Sequence, residues 1–160
     1  IFVDLGGGST EFFLRNNEQS EIRSFQLGAV RNMLKKDKKN EWNRMEKWLQ
    51  DVKPKIKLIG IGGNIRSFLQ AHKTKEMKIK DFKKKSSDLR LLNTKQKIKK
   101  FSFSSDRADV IDHALEIFNF IAANLEVEVI TSTKWGITDS IAVKLFHELY
   151  SNKINITKTE

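Results

Sequence analysis

Ile1-Phe2-Val3-Asp4-Leu5-Gly6-Gly7-Gly8-Ser9-Thr10-Glu11 opens the chain, and its reading decides the fold. A short apolar strand runs into three consecutive glycines, then a hydroxyl pair and a carboxylate that lead into a second strand. A hairpin that only had to turn would not need three glycines flanked by Asp4, Ser9 and Glu11. Without Cβ atoms, backbone N–H groups at Gly6, Gly7 and Gly8 can face inward and approach an anion closely. Asp4 and Glu11 are hard oxygen ligands of the kind a divalent cation takes when it accompanies a phosphate chain. A glycine-rich turn between two core strands, with both carboxylates solvated, accounts for the same residues and stays open at this point.

Working outward, the second strand covers about Thr10 to Leu14, with Asn16-Asn17 as tight-turn chemistry, and the third covers about Glu21 to Gln26. A helix is predicted from Ala29. Another is predicted over Glu41 to Val52, where Trp42, Met45, Leu49 and Val52 recur at helical spacing and Pro54 ends the run. Lys57 to Gly60 reads as a strand that enters a helix reaching Ala71. Asp88 to Lys100 looks helical. Asp106 to Leu125 is the longest helix, with Ile111, Leu115, Phe118, Ala122 and Leu125 along one side. Glu126 to Ser132 reads as a strand. Trp135 to Tyr150 is a closing helix whose expected core face is Ile137, Ile141, Leu145 and Leu149. The expected fold is α/β: a mixed five-stranded sheet with flanking helices, not the strict βαβ alternation of a dinucleotide-binding fold.

Gly60-Ile61-Gly62-Gly63-Asn64 forms a second glycine site where a strand meets a helix, and Asn64 is expected to cap that helix. Free N–H groups at a helix start behind glycines suit an anion. In an open sheet, ligands collect at the carboxyl ends of strands, so both glycine loops are expected to face one crevice. A tight strand-to-helix turn is the plain alternative. Two such loops in one small domain favour phosphate binding.

Composition narrows the classes. At 160 residues the chain is one ordinary domain, with no internal repeat. It holds no cysteine, which excludes disulfide frameworks, thiolate zinc sites and thiol nucleophiles. No apolar run approaches a membrane span and no signal-peptide layout is present, so a cytoplasmic setting is expected. His72, His113 and His147 show no metal-ligand spacing. The formal net charge is +10, and most of it lies between Lys73 and Lys100: eleven lysines and Arg90 against Glu76, Asp81 and Asp88. Such a field attracts polyanions. Few aromatic residues interleave with these charges, which argues against single-stranded nucleic acid.

Five motifs in order carry a resemblance: Val3 to Glu11, Leu27-Gly28-Ala29-Val30-Arg31, Gly60 to Asn64, Asp106-Arg107-Ala108-Asp109, and Gly136-Ile137-Thr138-Asp139. Together they resemble the exopolyphosphatase / guanosine pentaphosphate phosphohydrolase (Ppx/GppA) family over nearly the whole chain. The resemblance implies an actin-like ATPase (ribonuclease H-like) half-domain, the second of two around a cleft. It places that half-domain at 1–150 and leaves 151–160 as a polar C-terminal tail. It further implies a magnesium-dependent phosphatase acting on polyphosphate or guanosine pentaphosphate. Asp4 and Glu11 are similar to metal-holding positions. Gly6, Gly7, Gly8, Ser9 and Thr10, with Gly62, Gly63 and Asn64 of the second loop, are similar to phosphate-binding ones. Arg31 and Arg107 match recurring arginines, as phosphate contacts or as ion-pair partners.

The chain begins inside a strand without an initiator methionine, so the first half-domain, with the family's catalytic glutamate, is expected before Ile1. No catalytic residue is assigned here, and the chain alone is expected to be inactive. A homodimer is left open. Asp112-His113, and Thr138-Asp139-Ser140, depart from the family's usual residues and bear on substrate choice. Two other classes remain: a sugar- or acetate-kinase-like nucleotide-binding half-domain, and a non-enzymatic regulator binding alarmones or nucleic acid through Lys73–Lys100.

Overall fold

In a computed structural model of the chain, residues 1–15, 20–52 and 57–154 are described. The Asn16-Asn17 turn, Pro54 and residues 155–160 of the expected tail lie outside them.

Alternation sets the first layer. In β1 (Phe2–Leu5), Val3 and Leu5 are buried while Phe2 and Asp4 point to the opposite face. The partner strand β2 (Thr10–Arg15) is antiparallel, with Val3 opposite Phe12 and Leu5 opposite Thr10 on the buried side. The same register sets Asp4 opposite Glu11 and Phe2 opposite Phe13 on the other side. Strand β3 (Ser20–Phe25) adds to β2, again antiparallel. Gln26, Leu27 and Gly28 lead into α1 (Ala29–Met33), and α2 (Lys39–Asp51) follows. In α2, Met45 and Leu49 are fully buried, and Trp48 lies 4.8 Å from the Phe12 ring and 5.6 Å from Phe25 between ring centroids.

The parallel half of the sheet positions the site. Strand β4 (Lys57–Ile61) runs beside β1 with Asp4 level with Ile61, so both strands end at the same edge. Helix α3 (Gly63–Ala71) leaves that edge and crosses back over the sheet. It packs so closely that a Cβ on Gly60 would sit 2.7 Å from Ile65 Cγ2, which is why that strand position carries glycine. Strand β6 (Val129–Ser132) pairs in parallel with β4.

A sixth strand corrects the five-stranded expectation. Strand β5 (Glu76–Lys78) pairs antiparallel with β6, and the sheet order is β3-β2-β1-β4-β6-β5. Only Met77 of its three residues is apolar and buried, too short a pattern to stand out in a lysine-rich stretch. The basic segment also divides differently from its reading. Helices α4 (Ile79–Arg90) and α5 (Thr94–Phe101) are separated at Leu91 to Asn93, where Asn93 and Gln96 form a reciprocal capping box.

The twenty-residue α6 (Ser105–Asn124) is the spine of the core. Its residues Ile111, Ala114, Leu115, Ile117, Phe118 and Ile121 are fully buried, and α1 through α5 all pack against it. Each such large side chain contributes about 1.5–3 kcal/mol by leaving water.

Helix α7 (Ile137–Ile154) departs from expectation. Ile141, Leu145 and Leu149, expected to face the core, are 53%, 50% and 63% exposed, and Phe146 is 58% exposed. Helical spacing reports that a face wants burial but not what covers it. Nothing among the described residues covers this one.

Candidate phosphate and metal site

The Gly6–Ser9 loop is held from below. Gly6 N–H donates to the Ser9 carbonyl (3.0 Å), which closes the turn. The carbonyls of Gly6 and Gly7 then accept from Ala29 N–H (3.0 Å) and Arg31 N–H (2.9 Å) at the start of α1. A Cβ on Gly28 would meet Gly7 C, Gly7 O and Gly8 C at 2.5 Å each, so backbone rests on backbone here. The loop carbonyls are thereby turned toward α1. Among the described residues, no protein acceptor is found for the N–H groups of Gly7 and Gly8. Arg31 braces the loop from the side: Nε donates to the Gly8 carbonyl at 2.8 Å and NH2 to Gln26 Oε1 at 3.3 Å. A 400 Å³ depression bounded by Gly7, Gly8, Arg31 and Lys36 opens beside it.

Asp4 and Glu11 form a cross-strand pair directly beneath that loop. Like charges at such a position repel. Burial, and then the negative charge of Glu11, push the Asp4 carboxyl above its ordinary value. Glu11 Oε1 accepts from the Ser24 hydroxyl at 3.0 Å. Among the described residues neither carboxylate has a salt-bridge partner. Two uncompensated carboxylates side by side fit a divalent cation. No third acidic or histidine side chain joins them among the described residues, so the pair suits an ion that completes its shell with water and phosphate oxygens, as Mg²⁺ does.

The second loop meets the first at this point. Gly62 adopts φ +104°, a conformation that favours glycine, and a Cβ there would lie 3.4 Å from the Leu5 carbonyl and 3.8 Å from Asp4 Oδ1. The two glycine loops therefore leave the sheet side by side, as expected from the strand ends. Gly62 itself is the N-cap, without a side-chain cap bond, which corrects the capping role expected of Asn64. Asn64 is buried one position into the first turn, and its Oδ1 accepts from Arg107 NH1. The Arg107 guanidinium lies against Gly63, where a Cβ would come within 2.4 Å of NH2.

Thr10 belongs to the core rather than to the loop's donor set. It sits opposite Leu5 on the buried face, and its hydroxyl donates to the Leu27 carbonyl at 2.7 Å. Of the Ser9-Thr10 hydroxyl pair, only Ser9 lies outside the core. Of the residues singled out in sequence, the fold brings together Asp4, Glu11, Gly6 to Ser9, Gly62 and Gly63, with Arg31 and Arg107 on either side. Gly28 and Gly60, which make the close approaches possible, stood in the sequence motifs without an assigned role. Arg66 was missed: its NH2 donates to the carbonyls of Thr133 and Lys134, both at 3.2 Å, tying α3 to the segment after β6.

On the sheet face that carries Asp4, an apolar cavity of about 570 Å³ runs from Phe2, Phe13 and Ile61 to Trp135 and Ile141. The edge that carries the two loops is thus continuous with an open apolar wall.

A profile of the Ppx/GppA phosphatase family matches residues 1–149. A comparison with curated proteins finds no match. Among solved structures, the chain is similar to a Ppx/GppA family member from Aquifex aeolicus, with 23% identity and a TM-score of 0.76. That match covers 93% of this chain and 56% of the other. The type II variant of the Aquifex aeolicus Ppx/GppA phosphatase gives 23% identity, a TM-score of 0.73, and coverage of 89% and 55%. An exopolyphosphatase from Cytophaga hutchinsonii gives 16% identity, a TM-score of 0.68, and coverage of 90% and 55%. The chain spans about half the length of these structures, and it shares their actin-like fold. No helix among the described residues is long and apolar enough to cross a membrane.

Proposed function

Because the chain belongs to the Ppx/GppA phosphatase family, we propose that it forms one wall of an enzyme that hydrolyses the terminal phosphoanhydride of polyphosphate or guanosine pentaphosphate. The observation that carries this reading is the Asp4–Glu11 pair, set level with the Gly62 turn and beneath the Gly6–Ser9 loop.

Charge explains the arrangement. A phosphate chain crowds negative charge, and the departing phosphate adds to it during hydrolysis. Backbone N–H groups of Gly7 and Gly8, and of the first turn of α3, can donate to phosphate oxygens without reorganising. Arg31 and Arg107 hold the two loops while presenting positive charge on either side. Asp4 and Glu11 would hold Mg²⁺, which when bound offsets the negative charge of the phosphates. The base that orients the attacking water is assigned to a second half-domain of the same protein. That half would also cover the cavity from Phe2 to Ile141, so this chain alone is proposed to be inactive.

The test is phosphate release by the full-length protein. Asp4→Ala and Glu11→Ala are each expected to lower Mg²⁺-dependent release by at least ~100-fold, the scale of removing one preorganised electrostatic interaction from the transition state, with the circular dichroism spectrum unchanged. Near-normal release by a folded Asp4→Ala protein would refute the assignment.

A further inference from the structure

The lysine-rich segment has no role in the site described above, and its placement gives it one. On α4 and α5 the side chains of Lys80, Lys83, Lys84, Arg90, Lys95, Lys99 and Lys100 are exposed. Among the described residues none of them is in a salt bridge; of the segment's lysines, only Lys97 is, with Asp112. The two helices converge on the far end of α3. Lys85 of α4 and Lys100 of α5 both act on His72, which follows α3 directly and whose imidazole is held below its ordinary value by burial first and by those two charges next. The Lys100 ammonium also lies 5.4 Å from the Phe101 ring centroid, and that ring lies 5.5 Å from His72.

From this basic end a polar groove of about 220 Å³ leads back toward the glycine loops. Ser67 and Gln70 of α3 form one side, and Ser102, Ser104 and Arg107 the other. Arg107 is the residue whose guanidinium lies against Gly63. The groove therefore runs along the second half of α3, a helix whose nine residues span about 13 Å. Arg107 joins one end to the second glycine loop, and Phe101, beneath the Lys100 ammonium, joins the other to the lysine cluster.

We infer that this groove and the Lys85–Lys100 cluster form an exosite for the distal part of an inorganic polyphosphate chain whose terminal phosphate occupies the glycine loops. Hydroxyls, an amide and an arginine line the path beside the edges of Phe101 and Phe103, and ammonium groups without a salt-bridge partner among the described residues stand at its end. Such a surface reads repeated negative charge. It is poorly built to read bases: of the two rings that line it, Phe103 is only 6% exposed, and Phe101 is half-buried, stacked on Phe103 and set against the Lys100 ammonium. The inference rests on the proposed reading of the glycine loops and makes polyphosphate the preferred substrate class.

The experiment uses full-length protein with Lys84, Lys85, Lys99 and Lys100 changed together to glutamine, on long-chain polyphosphate and on tripolyphosphate, which is too short to reach the cluster. Expected for the long chain is a KM raised by at least ~10-fold at low salt, with a salt dependence shallower by about one power for each lysine–phosphate pairing removed. Tripolyphosphate kinetics should be unchanged. Equal losses on both substrates, or none on either, would overturn the exosite. Single-stranded RNA competing as well as polyphosphate, with the same lysine dependence, would overturn the choice of ligand. If the wild-type protein releases phosphate from neither substrate, the function proposed above fails. Direct binding of long polyphosphate then decides the exosite alone: a ~10-fold weaker Kd in the variant supports it, and an unchanged Kd removes it.

Discussion

Gly28→Ala is the sharpest single test of how the first phosphate loop is built. The residue has φ −152° and ψ 160°, an extended conformation open to any amino acid, so the substitution carries no backbone strain of its own. The cost is steric. The new methyl would lie 2.5 Å from three backbone atoms of Gly7 and Gly8, well inside van der Waals distance, and none belongs to a side chain that could rotate away. Either the loop lifts or α1 retreats. Both routes strain the bonds from Ala29 and Arg31 to the Gly6 and Gly7 carbonyls. Overpacking of this kind costs about 1–3 kcal/mol, and rigid neighbours place it at the upper end. For a domain of this size, about 3 kcal/mol lowers Tm by roughly 6–12 °C. Gly6→Ala is the control, because its added Cβ would meet only Ser9 O, at an ordinary 3.6 Å. Urea unfolding of both variants beside the parent measures the difference. A Gly28→Ala protein as stable as Gly6→Ala would refute the view that the loop rests on Gly28.

Three further outcomes follow from the same geometry. Thr10→Val leaves the buried Leu27 carbonyl without its donor, so a loss of about 1–3 kcal/mol is expected in urea unfolding, with phosphate affinity unchanged. The Asp4 carboxyl is raised above its ordinary 3.8 by burial and by Glu11, so the fold prefers its protonated form. Its contribution to stability is complete below the unfolded value and is lost as pH rises through the folded one. Metal-free Asp4→Asn should therefore be more stable than the parent at pH 7 but not at pH 3, as thermal melts at both pH values would show. Lys97, only 5% exposed, is paired with Asp112 across α5 and α6; Lys97→Ala strands the carboxylate and should cost about 3 kcal/mol in the same unfolding assay.

Much of this architecture was legible because it rests on local pattern. The apolar run from Ile1 to Asp4 named a strand, and the period of Ile111 to Leu125 named a helix and its buried face. The glycine runs marked both loops, and their position after the carboxyl ends of two strands pointed to one side of the sheet. What escaped depends on long-range partners. β5 exists because β6 offers it an open edge, not because Glu76-Met77-Lys78 asks to be a strand. Thr10 looks like a loop hydroxyl until register turns it toward Leu27. The apolar side chains of α7 read as core, yet their cover is not among the described residues. Asn64 was expected as a cap by residue type, but Gly62 takes that position, and the amide serves Arg107 instead.

The central claim is that Asp4 and Glu11 hold a divalent cation between the two glycine loops. Anomalous diffraction from crystals of the full-length protein grown with Mn²⁺, as a stand-in for Mg²⁺, and a non-hydrolysable polyphosphate analogue tests it directly. The account predicts an anomalous peak within about 2.2 Å of an oxygen from each carboxylate and from the bound phosphate. Analogue seated in the loops with the manganese peak elsewhere would contradict it.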